Sequence, residues 1–345
     1  SHLYFDHYQS LSKYEPTAFG GYSPLKKVYH YEPVPEGISQ EEQDLILGVQ
    51  ANLWTEYVPT PEHAEYMTLP RMAALAEIAW QQEGAKNWPH FKQKMDYLIP
   101  RYDAMGINYA KSAWRPNIQF RLDTITRNLV VTLETGLLAD IYYTTDGTEP
   151  DTLNGKRYTG PFELEQSGTV KAVAVKNGIP MVETESKEAV LHKARGVHVS
   201  VVPEPKGKYS ALGAYTLVDA NFGGNKWGNG KWLGILDSDF VTTMEFDEPT
   251  EISEVGFSCI EQTGAGIYFP AALELEVSDD GINFTKLKSW QSNRELPIER
   301  NAEIKTKIIR MEFDPRECTY LRINTTYQRV PDSGVFVFVD EIVVN

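Results

Sequence analysis

The sequence has little of what would place it in several common classes. Its 345 residues include only two cysteines, Cys259 and Cys318. That excludes a disulfide framework and a cysteine-based zinc site; two buried thiols suit the pair better than a single bridge. Positive charge is scarce: 33 Lys and Arg face 48 Asp and Glu, a formal net charge of -15. Such a balance argues against nucleic acid or anionic membrane as a partner, because phosphate recognition needs clustered cations. No apolar run reaches the length of a membrane span. His30, His63 and His90 lack the spacing of metal ligands and read as surface residues. The first residues carry no signal-peptide pattern and lead straight into strand-like sequence.

Aromatic residues, by contrast, are plentiful, with 19 Tyr and 7 Trp. The chain is long enough for two or three domains. His2 to Tyr8 alternates in the manner of a strand, and an apolar run from Ile46 to Leu53 ends abruptly in Trp54-Thr55-Glu56. A buried parallel strand delivers side chains to the carboxyl end of a barrel in this way. Ser39 and Glu42 have capping-box spacing ahead of a short helix. Thr60-Pro61 starts an amphipathic helix reaching Trp80, which Pro70 must kink or divide. A further helix is expected from Trp88 to Met105, with Phe91, Met95, Ile99 and Tyr102 on one face and Gly106 as its C-cap.

After Pro116 the helical period disappears. Short β-type runs at Ile118 to Leu122, Leu129 to Glu134, Ile141 to Thr145 and Thr169 to Val175 are separated by Asp-Gly and Asn-Gly turns. From about Val197 a second all-β segment begins. Its strands are expected at 241–246, 252–260, 272–277, 305–313, 320–324 and 335–344, around Gly- and Trp-rich loops at 223–234. That number of strands suggests a sandwich or jelly roll.

A strand ending "LWTE", followed by a helix containing "PRMAALAEIAW", resembles the last strand and helix of the catalytic barrel of family 20 glycoside hydrolases, the β-N-acetylhexosaminidases. "LYFDHY" is similar to the preceding strand of that barrel. "IYYTTDGTEPDTLNGKRYTGPFEL" looks like a chitobiase C-terminal-type β domain, and "FPAALELEVSDDGINF" with its upstream loops resembles a discoidin (F5/8 type C) domain. The resemblance implies a multidomain chain: part of a (β/α)8 TIM barrel (the last two strands and helices) over residues 1–116, then two β-sandwich domains over 117–195 and 196–345.

The resemblance also implies site roles. Tyr4 would hydrogen-bond the substrate's acetamido oxygen, Asp6 and Glu56 would bind sugar hydroxyls, and Trp54 would wall the pocket. Such enzymes retain configuration through the substrate's own acetamido group and need no cofactor. Their substrates are glycans with a terminal N-acetylhexosamine, which implies a secreted, periplasmic or cell-surface location. The family's adjacent Asp-Glu pair, which protonates the leaving group, has no counterpart here. The only Asp-Glu dipeptides, Asp247-Glu248 and Asp340-Glu341, lie in the last segment. The chain is therefore expected to be the C-terminal part of a longer enzyme and inactive alone.

Other readings of the last segment stay open. Trp227 and Trp232 could stack on sugars, as in a carbohydrate-binding or adhesion protein, or pack the end of the sandwich. Both β domains could equally be rigid spacers. Discoidin-type modules often carry calcium, for which Asp219 and Glu341 are the candidate ligands, leaving most of the coordination to backbone and water.

Overall fold

The computed structural model describes residues 2–12, 14–82, 84–294, 298–331 and 333–345. Sheet dominates, with few helices. The chain divides into two compact units: Ser1–Gln119 with Thr132–Pro161 and Thr169–Lys187, and Phe120–Val131 with Phe162–Gly168 and Glu188–Asn345.

Among the described residues, the first unit holds five α-helices: α1 (Leu25–Tyr29), α2 (Gln40–Gln43), α3 (Pro61–Thr68), α4 (Arg71–Trp80) and α5 (Trp88–Ala104). Local chemistry sets their ends. The Ser39–Glu42 capping box forms at α2, and the Thr60 side chain accepts from the His63 amide at 3.2 Å to open α3. Pro70 follows a cis peptide bond and separates α3 from α4. On α5, Phe91, Met95, Ile99 and Tyr102 are buried as their spacing requires. Together with Tyr29, Leu75, Ile78 and Trp114 they form one apolar core that also takes in Leu137 and Ala174.

The two segments read as strands, His2 to Tyr8 and Ile46 to Trp54, form no regular strand, because each finds only single-residue pairing. They meet in an isolated parallel bridge, Tyr4 to Asn52, and Tyr8 makes another with Tyr22. Further along, Asp140–Thr144 pairs antiparallel with Lys156–Arg157 and with Gly168–Lys176.

The second unit is built on a seven-stranded sheet. Its order is Leu233–Leu236, Phe336–Val344, Phe240–Glu261, Lys305–Thr326, Ala272–Ser278, Thr285–Gln291, with His198–Val202 pairing onto Phe240–Glu261. Two expected strand pairs prove to be single long strands. Phe240–Glu261 and Lys305–Thr326 stay paired from Phe240↔Thr325 to Glu261↔Lys305, with register shifts between Glu245 and Thr250 and between Ile252 and Glu254. Such irregularities bend a strand without ending its ladder. Val255, Phe257, Leu273, Leu275, Leu321, Ile323, Val337 and Val339 lie in the core of this unit. Cys259 and Cys318 are both buried free thiols.

Candidate functional site

The best-organised polar site of the first unit lies where the Tyr4 segment meets the Asn52 segment. The Phe5 amide donates to the Asn52 carbonyl at 2.7 Å, and the Asn52 amide donates to the Leu3 carbonyl at 2.9 Å. Beyond this bridge Leu53 turns inward onto the apolar core, packing with Val58 and Met67 as well. Its neighbour Trp54 is left 64% exposed, and Glu56 is exposed too. Tyr4 is 38% exposed, and its ring stacks on His7 with centroids 5.6 Å apart. Three of the four expected residues thus stand at the surface on bridged segments.

Asp6 differs. It is only 3% exposed, and its Oδ1 is buried without a hydrogen-bond partner among the described residues. An orphaned buried acceptor is costly, so it marks a place where a donor is needed. His7 is held below the ordinary histidine range, chiefly by burial, while the charge of Asp6 opposes the shift. Close packing fixes His7: a Cβ on Gly21, whose φ is +62°, would fall 2.5 Å from the imidazole.

Arg71 organises this loop: it is fully buried, and its hydrogen-bond acceptors are backbone carbonyls. Its guanidinium donates to His7 O at 3.0 Å, Ser23 O at 3.1 Å, Phe5 O at 2.5 Å and Met67 O. One side chain therefore ties the loop carrying Asp6 and His7 to the end of α3. Burial pulls the Arg71 pKa down to about 9, against the raising effect of Glu15 and Asp6, so it stays protonated at neutral pH. Pro70-Arg71 at a helix junction was the only sequence signal for it.

In the second unit the two tryptophans part company. Trp232 is 2% exposed, packed with Ile260, Ile267 and Phe338, so its faces are closed to a sugar. Gly223 makes this possible, since a Cβ there would lie 2.1 Å from the Trp232 indole nitrogen. Trp227 remains half-buried; its indole donates to Gln262 Oε1 at 2.7 Å, and its ring meets Tyr209 edge-on.

Asp219 and Glu341 converge on one amide: Asn221 N donates to Asp219 Oδ1 at 2.9 Å and to Glu341 Oε2 at 3.2 Å. Asp340 lies alongside, accepting from Gly223 N at 2.6 Å. Burial raises the Asp340 pKa to about 7, and Glu341 is raised well above its usual range by burial and by the charges of Asp219 and Asp340. His192 Nε2 lies 3.0 Å from Glu341 Oε1, without hydrogen-bond geometry. Among the described residues no group of three or more His, Cys, Asp or Glu is arranged to hold a metal. Asp340 Oδ1 and Glu341 Oε1 are buried without a hydrogen-bond partner among the described residues.

Comparison with known proteins bears on the first unit most directly. Residues 1–83 match the model for "Glycosyl hydrolase family 20, catalytic domain". This segment is similar to family 20 catalytic domains. Residues 131–186 match the model described as "Fn3 associated". A beta-hexosaminidase of Porphyromonas gingivalis is 38% identical over 177 residues, covering 51% of this chain and 23% of the relative. A beta-N-acetylhexosaminidase of Cellulomonas fimi is 31% identical over 108 residues, covering 29% of this chain and 21% of the relative. The chain thus matches less than a quarter of the length of either relative. Among solved structures, a chitosan-binding module from a Paenibacillus chitosanase/glucanase is 13% identical, covers 45% of this chain and 98% of that one, and has a TM-score of 0.31. The family 20 segment contains Tyr4, Asp6, Trp54, Glu56 and Arg71.

Proposed function

We propose that this chain carries the half of a β-N-acetylhexosaminidase site that holds the terminal sugar, in a retaining exo-glycosidase acting on terminal GlcNAc or GalNAc. The observation that carries the reading is the Tyr4–Asn52 bridge within a family 20 segment, because it sets Tyr4 beside the segment that presents Trp54 and Glu56. Tyr4 donates its phenol to the acetamido oxygen, and Trp54 closes over the acetamido group. Asp6 and Glu56 accept from sugar hydroxyls, a role that the unpartnered Asp6 Oδ1 suits. The acetamido oxygen attacks the anomeric carbon as the glycosidic bond breaks, giving an oxazolinium ion that water then opens. Holding that oxygen in line is a matter of positioning, which an aromatic wall and one aimed donor supply.

The leaving oxygen needs a proton, and in this reading the acid that gives it comes from outside the chain, which is then inactive alone. Exposed apolar residues of the first unit support a further covering partner: Leu45, Leu47 at 98% exposure, Trp54 and Trp80. In this reading residues 1–116 complete a (β/α)8 barrel, and 117–195 and 196–345 are the β domains behind it. The enzyme works outside the cytoplasm, and calcium sits at Asp219 and Glu341. A thiazoline mimic of the oxazolinium ion, titrated calorimetrically into the chain, tests the half-site. Binding weakened in Trp54→Ala, Tyr4→Phe and Glu56→Gln supports it; binding indifferent to all three overturns it.

A further inference from the structure

A recess lies on the sheet of the other unit, with the buried Glu261 in its wall. It has a volume of about 210 Å³, and its walls include Phe269, Trp290, Arg294, Lys307 and Gln328. Strand pairing assembles it. Glu261 is opposite Lys305 and Cys259 opposite Lys307 on the two long strands, and Trp290 is opposite Leu273 on the outer pair. The volume falls below the roughly 300–1,000 Å³ of pockets for drug-sized ligands, which limits the occupant to a small ring system.

The polar lining is uneven in a way that selects a ligand. Glu261 is buried and already engaged, accepting from Arg294 and from the Phe269 amide at 3.3 Å. Lys305 pairs with Glu303 at 2.9 Å. Lys307 makes no ion pair among the described residues; its ammonium lies 5.4 Å from the Trp290 ring centroid. The buried Gln328 and the exposed Asn293 likewise make no side-chain hydrogen bond among the described residues. The recess therefore offers two partly buried aromatic rings, two amides that both donate and accept, and one cation that stands over the Trp290 ring and has no ion pair among the described residues, on a chain whose net charge is -15. Aromatic faces suit the C–H face of a sugar, amides suit its hydroxyls, and a lone ammonium suits a single negative charge.

We propose that this recess binds a sugar ring bearing one acidic substituent, with Trp290 as platform and Lys307 as counter-charge. The site lies outside the family 20 segment and does not rest on the hexosaminidase reading. The ring's acid group takes up the Lys307 ammonium, and the amides of Gln328 and Asn293 fix its hydroxyls.

The test is calorimetric titration of the full 345-residue chain with glucuronic acid, N-acetylglucosamine 6-sulfate and neutral N-acetylglucosamine. At low salt at least one acidic sugar should bind about tenfold or more tighter than the neutral one, and about 0.5 M NaCl should erase the difference. The two acidic probes tell a carboxylate ligand from a sulfate ester. Lys307→Gln, an exposed change that the fold tolerates, should remove the preference, and Lys307→Arg should keep it. Trp290→Ala should abolish the extra affinity for the acidic sugars, whereas Trp54→Ala should leave it unchanged. Equal affinity for acidic and neutral sugars, no sugar binding, or a preference that survives Lys307→Gln would each overturn the proposal.

Discussion

Tyr4 and Asn52 form a single parallel bridge, held by Phe5 N to Asn52 O at 2.7 Å and Asn52 N to Leu3 O at 2.9 Å. These two hydrogen bonds hold the phenol beside the segment that bears the tryptophan. Replacing Asn52 with proline removes one donor. Hydrogen exchange should then quicken at the Phe5 amide, while the α5 amides stay protected. Unchanged protection at Phe5 would mean that the bridge contributes nothing to the local order.

Arg71→Met keeps the side-chain length but leaves the carbonyls of Phe5, His7, Ser23 and Met67 without their common donor. Buried carbonyls stripped of partners make this costly, by about 3 kcal/mol or more in urea denaturation. Lysine should recover only part, since one ammonium cannot reproduce the planar fork. A loss below about 1 kcal/mol would show that water replaces the guanidinium freely.

At Gly21 an alanine meets both a left-handed backbone and the His7 ring. Strain of about 1–2 kcal/mol is expected from the backbone alone. His7 must also move, and its imidazole should titrate closer to the ordinary histidine value, because burial is the main cause of its lowered pKa. NMR titration of the ring reads this directly. An unchanged His7 titration would contradict the contact.

The buried acids set the sign of a pH effect. Burial raises the folded-state pKa values of Asp340 and Glu341 above the ordinary carboxylate range. Their contribution is therefore fully present at low pH and is lost as pH rises through about 7 for Asp340. Melting of the second unit should occur at a lower temperature at about pH 8 than at about pH 5. Calcium should raise it again at about pH 8 in proportion to its concentration, and Glu341→Gln should blunt both effects. Equal melting at both pH values in chelator would contradict the account.

How much of this was legible in the sequence differs by element. The 3.6-residue spacing of Phe91, Met95, Ile99 and Tyr102 gave away α5, and Thr60-Pro61 gave away the start of α3, because both signals are local. The long strands were read as two each, since Asp247-Glu248-Pro249 interrupts one and Asp314-Pro315 the other. The ladder survives both because register shifts accommodate the irregular stretches, which only the partner strand reveals. Thr285–Gln291, largely polar and exposed, escaped notice because edge strands lack an apolar alternation. His198–Val202 and Leu233–Leu236 were also unseen, the second hidden beside a Gly-rich loop. At the site, the residue types of Tyr4, Trp54 and Glu56 were readable, whereas the burial of Asp6 and the carbonyl cluster on Arg71 depend on long-range packing. Trp232 illustrates the same limit, its burial resting on a glycine nine positions away in the chain.

The most direct measurement of the central claim is hydrolysis of a nitrophenyl N-acetyl-β-glucosaminide by residues 1–345, set beside binding of the thiazoline mimic by the same preparation. The account expects binding that Trp54→Ala weakens, and no release of nitrophenol above the buffer rate. Turnover by this chain that is lost in Tyr4→Phe would contradict it, because the proton donor would then lie within these residues.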